Sequence, residues 1–127
     1  EKEKGWVLKI LVVDDSKISR KWLIEMIPPK IMENAVIIEG CNGEEAVNLY
    51  KEHAPDIVFL DITMPILDGI EALKQIKMLN AEALVVMVSA DRQKSTHQNV
   101  LSLGASAILS KPVDGNEFRS TLLGLVF

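Results

Sequence analysis

The chain of 127 residues has a single cysteine, Cys41, so it can form neither an internal disulfide nor a thiolate zinc site. A reducing, cytoplasmic setting is the corresponding expectation. Its only two histidines, His53 and His97, have no neighbours in a metal-binding or phosphohistidine pattern and read as surface residues. No apolar run approaches the ~20 residues needed to span a bilayer, and the charged start Glu1-Lys2-Glu3-Lys4 has no signal-peptide core behind it. Basic excess is also missing. Lys and Arg total 14 against 18 Asp and Glu, a net charge of −4, which argues against broad nucleic-acid binding through the phosphate backbone. There is no G-x-x-x-x-G-K-[ST] loop, internal repeat or low-complexity stretch. What is present, 48% apolar and 25% charged residues, is the balance of one globular domain. That domain is expected over residues 1–127, with its core from about 7 to 125.

Val7 to Val13, Ile57 to Leu60 and Ala83 to Val88 are short, nearly continuous apolar runs without polar alternation. This pattern suits strands buried on both faces of a parallel sheet. Ala35 to Glu39 and Ala105 to Leu109 are weaker strand candidates. Helical spacing fills the gaps. One helix runs from Ser16 to Ile27 and stops at Pro28-Pro29. The next opens at Asn42 with acids in its first turn, and a third is capped by Asp68. The last starts at Asp114, with Glu117 completing a capping box. Pro28-Pro29-Lys30-Ile31-Met32 makes a long connection to the second strand. Cys41 and Trp22 read as packed side chains, and Met64 as loop packing. Strands alternating with helices define a doubly wound α/β sandwich, (βα)5, with a five-stranded parallel sheet in the order 2-1-3-4-5.

In such a fold ligands sit beyond the carboxyl ends of the strands. Just past those ends stand Asp14-Asp15, Asp61-Ile62-Thr63, Ser89-Ala90-Asp91 and Ser110-Lys111-Pro112. Two carboxylates ~4 Å apart repel by about 4 kcal/mol at an effective dielectric of 20, so three on one rim either take up protons or hold a cation. All-oxygen ligands select a hard ion, Mg²⁺ or Mn²⁺, which leaves coordination positions for a phosphate. An ammonium and a hydroxyl across from the cation suit phosphoryl transfer onto a carboxylate. Asp61 ends the most apolar central run and reads as the nucleophile, with Asp14 and Asp15 as the cation's acidic pair.

The segments L-V-V-D-D-S (11–16), P-D-I-V-F-L-D-I-T-M-P-I-L-D-G-I-E-A-L (55–73), V-S-A (88–90), L-G-A (103–105) and S-K-P (110–112) carry a resemblance to the receiver domain of two-component response regulators. It extends from about Lys9 to Leu125, and D-I-T-M-P-x-x-D-G is most similar to stand-alone chemotaxis-type and methylesterase-type receivers. The resemblance implies a flavodoxin-like fold with Asp61 as phosphoacceptor. Asp15, Asp61 and the Thr63 carbonyl would ligate Mg²⁺ directly, with Asp14 acting through water. Ser89 and Lys111 would contact the phosphoryl group, the Lys111-Pro112 peptide would be cis, and Thr63 and Asp91 would tune phosphoryl lifetime. A histidine kinase or phosphotransfer protein would be the donor, and an output partner would dock on helix four, strand five and helix five. Such receivers usually carry Tyr or Phe three residues before the Lys; here Ile108 stands there. The expected consequence is that Ser89 acts on the output face through the loop at residues 89–97.

Other readings are weaker. A haloacid-dehalogenase-type phosphatase requires a second Asp two residues after the nucleophile, where this chain has Thr63. A flavodoxin-like FMN carrier would have its phosphate repelled by Asp14-Asp15. The receiver is therefore expected to turn over no external substrate. The alternative is a receiver segment of a larger regulator or hybrid kinase.

Overall fold

The computed structural model describes residues 7–127. Its strands are β1 (Leu8–Val13), β2 (Ala35–Gly40), β3 (Ile57–Asp61), β4 (Val85–Ser89) and β5 (Ala107–Ser110). All four pairings are parallel, and the order is β2-β1-β3-β4-β5, as expected. The helices are α1 (Lys17–Glu25), α2 (Pro29–Met32), α3 (Gly43–His53), α4 (Gly69–Leu79), α5 (Lys94–Ser102) and α6 (Gly115–Val126). The single turn of α2 departs from a plain (βα)5 repeat. Pro29 at its first position suits a helix start, and the turn buries Ile31 beneath the long connection to β2. In this numbering, the expected output face is α5, β5 and α6.

Each central strand sends alternate residues to opposite faces. Leu11, Val13, Val58, Leu60, Val85 and Met87 pack with Ala46, Val47 and Tyr50 of α3, Leu73 and Ile76 of α4, and Val100 of α5. Ile10, Val12, Ile57, Phe59, Val86, Val88 and Leu109 pack on the other face with Leu23 of α1, Ile31 of α2, and Phe118 and Leu122 of α6. The Phe59 and Phe118 rings lie 4.8 Å apart. These two layers account for the apolar runs; the polar exceptions, Lys9 in β1 and Asp61 and Ser89 at the ends of β3 and β4, each have a hydrogen-bond partner.

Local capping chemistry sets the helix starts. Ser16, Asn42, Asp68 and Asp114 each accept a hydrogen bond from the backbone N–H three residues on. At α3 the Glu45 carboxylate also reaches back and accepts the N–H of Cys41, the residue before the cap, at 2.9 Å. Strand register then aligns the carboxyl ends. Val13 pairs with Leu60, Asp61 with Val88, and Ser89 with Ser110.

Two expected burials are corrected. Cys41, just past the edge strand β2, is exposed. Its thiol is pushed up by its hydrogen bond with the Glu45 carboxylate, which makes it less reactive. Trp22 is 58% exposed, since the buried stripe of α1 runs through Leu23 instead.

Candidate functional site

The aligned rim brings together residues far apart in sequence. Asp14 follows β1 and Asp61 ends β3; these two strands are adjacent, and both side chains are buried. Asp15 beside them is exposed. One carboxylate oxygen from each of Asp14, Asp15 and Asp61 lies within 4.8 Å of the others. Lys111 reaches over from β5. β5 lies two strands from β3 and three from β1, so only a long side chain can serve both carboxylates. Its Nζ donates to Asp14 Oδ2 at 3.0 Å and to Asp61 Oδ2 at 3.3 Å. The Lys111-Pro112 peptide is cis.

The charges respond to this crowding. Burial pushes the Asp61 carboxyl above the usual range and the Asp14 charge adds to the rise; Lys111 and a backbone hydrogen bond from Thr63 oppose both. Burial alone would lower the Lys111 ammonium, but its hydrogen bond to Asp14 and the charges of Asp61 and Asp14 outweigh that and raise it. Lys111 therefore stays charged beside the two carboxylates.

The two acids of the pair differ in their surroundings. Both Asp14 oxygens are engaged, Oδ1 by the Ser16 N–H at 2.9 Å and Oδ2 by Lys111. The Asp15 side chain accepts no hydrogen bond among the described residues and is free to turn toward a cation. Thr63 is exposed at the mouth.

Ser89 is buried, and its hydroxyl is held within its own loop. It donates to the Asp91 carbonyl at 3.3 Å and accepts the Asp91 N–H at 2.9 Å. The Asp91 carboxylate accepts from the Gln93 N–H at 2.9 Å and the Thr96 hydroxyl at 2.8 Å, and these bonds hold it below the usual carboxylate range. The His97 ring has Nε2 2.9 Å from the Asp91 carbonyl. Ser89 is thus linked to the first turn of α5. Ile108 is partly buried and packs on the layer beneath α3, α4 and α5.

Two supports escaped the sequence reading. Gly69, expected only as part of a helix start, presses against the Asp61 backbone. A Cβ there would lie 2.1 Å from the Asp61 carbonyl oxygen. Gly43 is equally tight against the Leu67 carbonyl, to which its N–H donates at 2.9 Å. These glycines seat the loop after β3, and D-G beside D-x-x-M-P was the available signal. Arg20, on α1, was not singled out at all.

Comparison with known proteins agrees with this geometry. The chain matches the response regulator receiver domain family over residues 10–123 and belongs to it. It is 42% identical to the chemotaxis protein CheY of Bacillus subtilis over 104 residues, covering 82% of this chain and 85% of the relative. Against CheY of Listeria monocytogenes it is 39% identical over 116 residues, 91% and 96% of the two chains. Among solved structures it resembles the Borrelia burgdorferi CheX–CheY–BeF3–Mg²⁺ complex, with a TM-score of 0.85 and 35% identity over 94% of this chain and 90% of that one. It also resembles the response regulator domain of Thermotoga maritima CheB, with a TM-score of 0.72 and 34% identity over 95% and 92%. The chain is a CheY-like receiver domain; domains of this class are signalling switches. No helix among the described residues is long and apolar enough to cross a membrane.

Proposed function

We propose that the chain is a phosphoacceptor switch that takes a phosphoryl group from the phosphohistidine of a histidine kinase or phosphotransfer protein onto Asp61. The observation that carries this reading is the single rim on which Asp14, Asp15, Asp61 and Lys111 converge. A carboxylate oxygen of Asp61 forms the new P–O bond as the P–N bond to the donor imidazole breaks and the ring nitrogen keeps the electron pair. Water later cleaves the acyl phosphate, releases inorganic phosphate and resets the switch. The three carboxylates form an all-oxygen set that fits Mg²⁺ or Mn²⁺, with Asp15, Asp61 and the Thr63 carbonyl as direct ligands and Asp14 acting through water. A divalent cation held there supplies charge neutralisation for the transferred group. Lys111 balances the remaining negative charge from the opposite side. The side chain at position 63 and Asp91 tune how water reaches the acyl phosphate.

Ser89 transmits the change. When its hydroxyl turns to the phosphoryl group, its two bonds to Asp91 break and the loop leading into α5 is released. The face formed by α5, β5 and α6 then changes its affinity for an output protein. With Ile108 in the usual aromatic place, this loop carries the signal without an aromatic rotamer switch. The setting is cytoplasmic and the receiver is a single domain over residues 1–127. A place within a larger regulator is the second reading. It is favoured by the 40% identity to a methylesterase of Syntrophomonas wolfei, of which this chain covers only 30%.

Incubation with Mg²⁺ and a small phosphodonor, followed by intact mass, tests the chemistry. The protein should gain one phosphoryl group, and neither Asp61→Asn nor protein in EDTA should. A gain that survives Asp61→Asn would refute the assignment.

A further inference from the structure

We infer that Arg20 is a positioning residue for the cation site, acting through the backbone of Asp14 rather than by touching the cation or the phosphoryl group. The inference rests on the phosphoacceptor reading above. Arg20 lies on α1, and its side chain is only 14% exposed. Its guanidinium makes two bonds at once. Nη1 donates to the Asp14 carbonyl oxygen at 2.6 Å, and Nε donates to Glu39 Oε1 at 2.8 Å. The fork therefore spans three elements: α1, the peptide after β1 and the end of β2. The Asp14 N–H is already tied to the Gly40 carbonyl at 3.1 Å. The Gly40 bond holds the peptide before Asp14, and Arg20 holds the next one, joining Asp14 to Asp15, by its carbonyl.

That plane sets where Asp15 points. The Asp14 carboxylate has its own anchors in Ser16 and Lys111, whereas the Asp15 side chain has none among the described residues. Its direction is inherited from the backbone, which Arg20 holds at the carbonyl before Asp15 and the Asp14 carboxylate holds at the Ser16 N–H after it. A planar guanidinium with two donors at a fixed angle suits this task, while a lysine offers a point charge without the fork.

Charge and geometry predict opposite signs here. Arg20 places a positive charge beside an acidic nest, so by electrostatics alone its removal would tighten cation binding. If Arg20 positions Asp15, its removal weakens binding. The test is a titration with Mn²⁺, read by the electron paramagnetic resonance of the free ion, with Mg²⁺ as competitor. Arg20→Met should weaken Mn²⁺ binding about 10-fold, the lower end of what residues that orient metal ligands contribute. Arg20→Lys keeps the charge and should fall between the original protein and Arg20→Met. The rise in Tm that Mg²⁺ produces over EDTA should shrink in the same order, whereas loss of a merely structural contact would lower Tm in EDTA and leave that rise intact. Equal or tighter Mn²⁺ binding by Arg20→Met overturns the inference. Should that variant not fold, Arg20→Lys binding as tightly as the original protein overturns it. If the original protein itself binds no divalent cation, the phosphoacceptor reading falls and the inference falls with it.

Discussion

Replacing Asp61 with Asn should make the metal-free protein more stable while destroying its chemistry. The Asp61 carboxylate is 6% exposed and lies within 4.8 Å of the Asp14 carboxylate, a repulsion of about 3.5 kcal/mol at an effective dielectric of 20. Lys111 at 3.3 Å returns about 5 kcal/mol on the same scale. Those two contributions together leave about 1.5 kcal/mol in favour of the ion. Asp15 adds a second repulsion, screened by its exposure, and desolvation of a buried carboxylate costs several kcal/mol more. The balance disfavours the ion, in agreement with the upward displacement of the Asp61 carboxyl. The neutral amide keeps the shape without the charge and leaves Lys111 paired with Asp14 at 3.0 Å. A gain on the order of 1–2 kcal/mol is expected, or about 3–8 °C in Tm for a chain of this size. The pH dependence has a definite sign. Because the folded-state carboxyl titrates above its unfolded counterpart, Asp61 costs nothing in acid where both are protonated. Its cost builds as pH rises through the carboxylate range and is complete above the folded value. Thermal melts of both proteins in EDTA, in acid and at neutral pH, should show a gap that opens with pH, and Mg²⁺ should narrow it by stabilising only the original protein. Asp61→Asn melting below the original protein in neutral EDTA would refute the electrostatic balance.

Three further perturbations follow from the same geometry. Asp15→Ala should weaken Mg²⁺ binding more than Asp14→Ala, because Asp14 is tied to Ser16 and Lys111 while Asp15 is free; calorimetric titration giving equal or reversed losses would overturn the split between direct and water-mediated roles. Gly69→Ala should cost about 3 kcal/mol in urea unfolding and depress phosphoryl gain by Asp61, since the added Cβ meets immovable backbone at 2.1 Å. Ile66 is 76% exposed and holds φ at 70°, which strains a β-branched residue, so Ile66→Asn should raise stability by about 1 kcal/mol in the same assay.

Much of this protein is legible from residue order. Apolar runs at β1, β3 and β4 identify strands covered on both sides, and caps at Asn42, Asp68 and Asp114 mark helix starts, because both signals act over a few neighbouring positions. The chemistry-bearing residues at the strand ends are visible for the same reason, once the parallel order is inferred. Burial by neighbours distant in sequence is not. Cys41 and Trp22 are residue types that commonly pack, yet both are exposed, because coverage depends on which helix lies over which strand. The bond between Lys111 and Asp14 closes a separation of 97 residues, and the contact between Gly69 and the Asp61 carbonyl exists only when a helix docks on a strand end. Ser89 shows the limit most plainly: its residue type and place at the end of β4 are read directly from the chain, but its attachment to Asp91 depends on the folded path of one loop. Arg20 leaves no local signature, because its two partners meet only after β1 and β2 pair side by side.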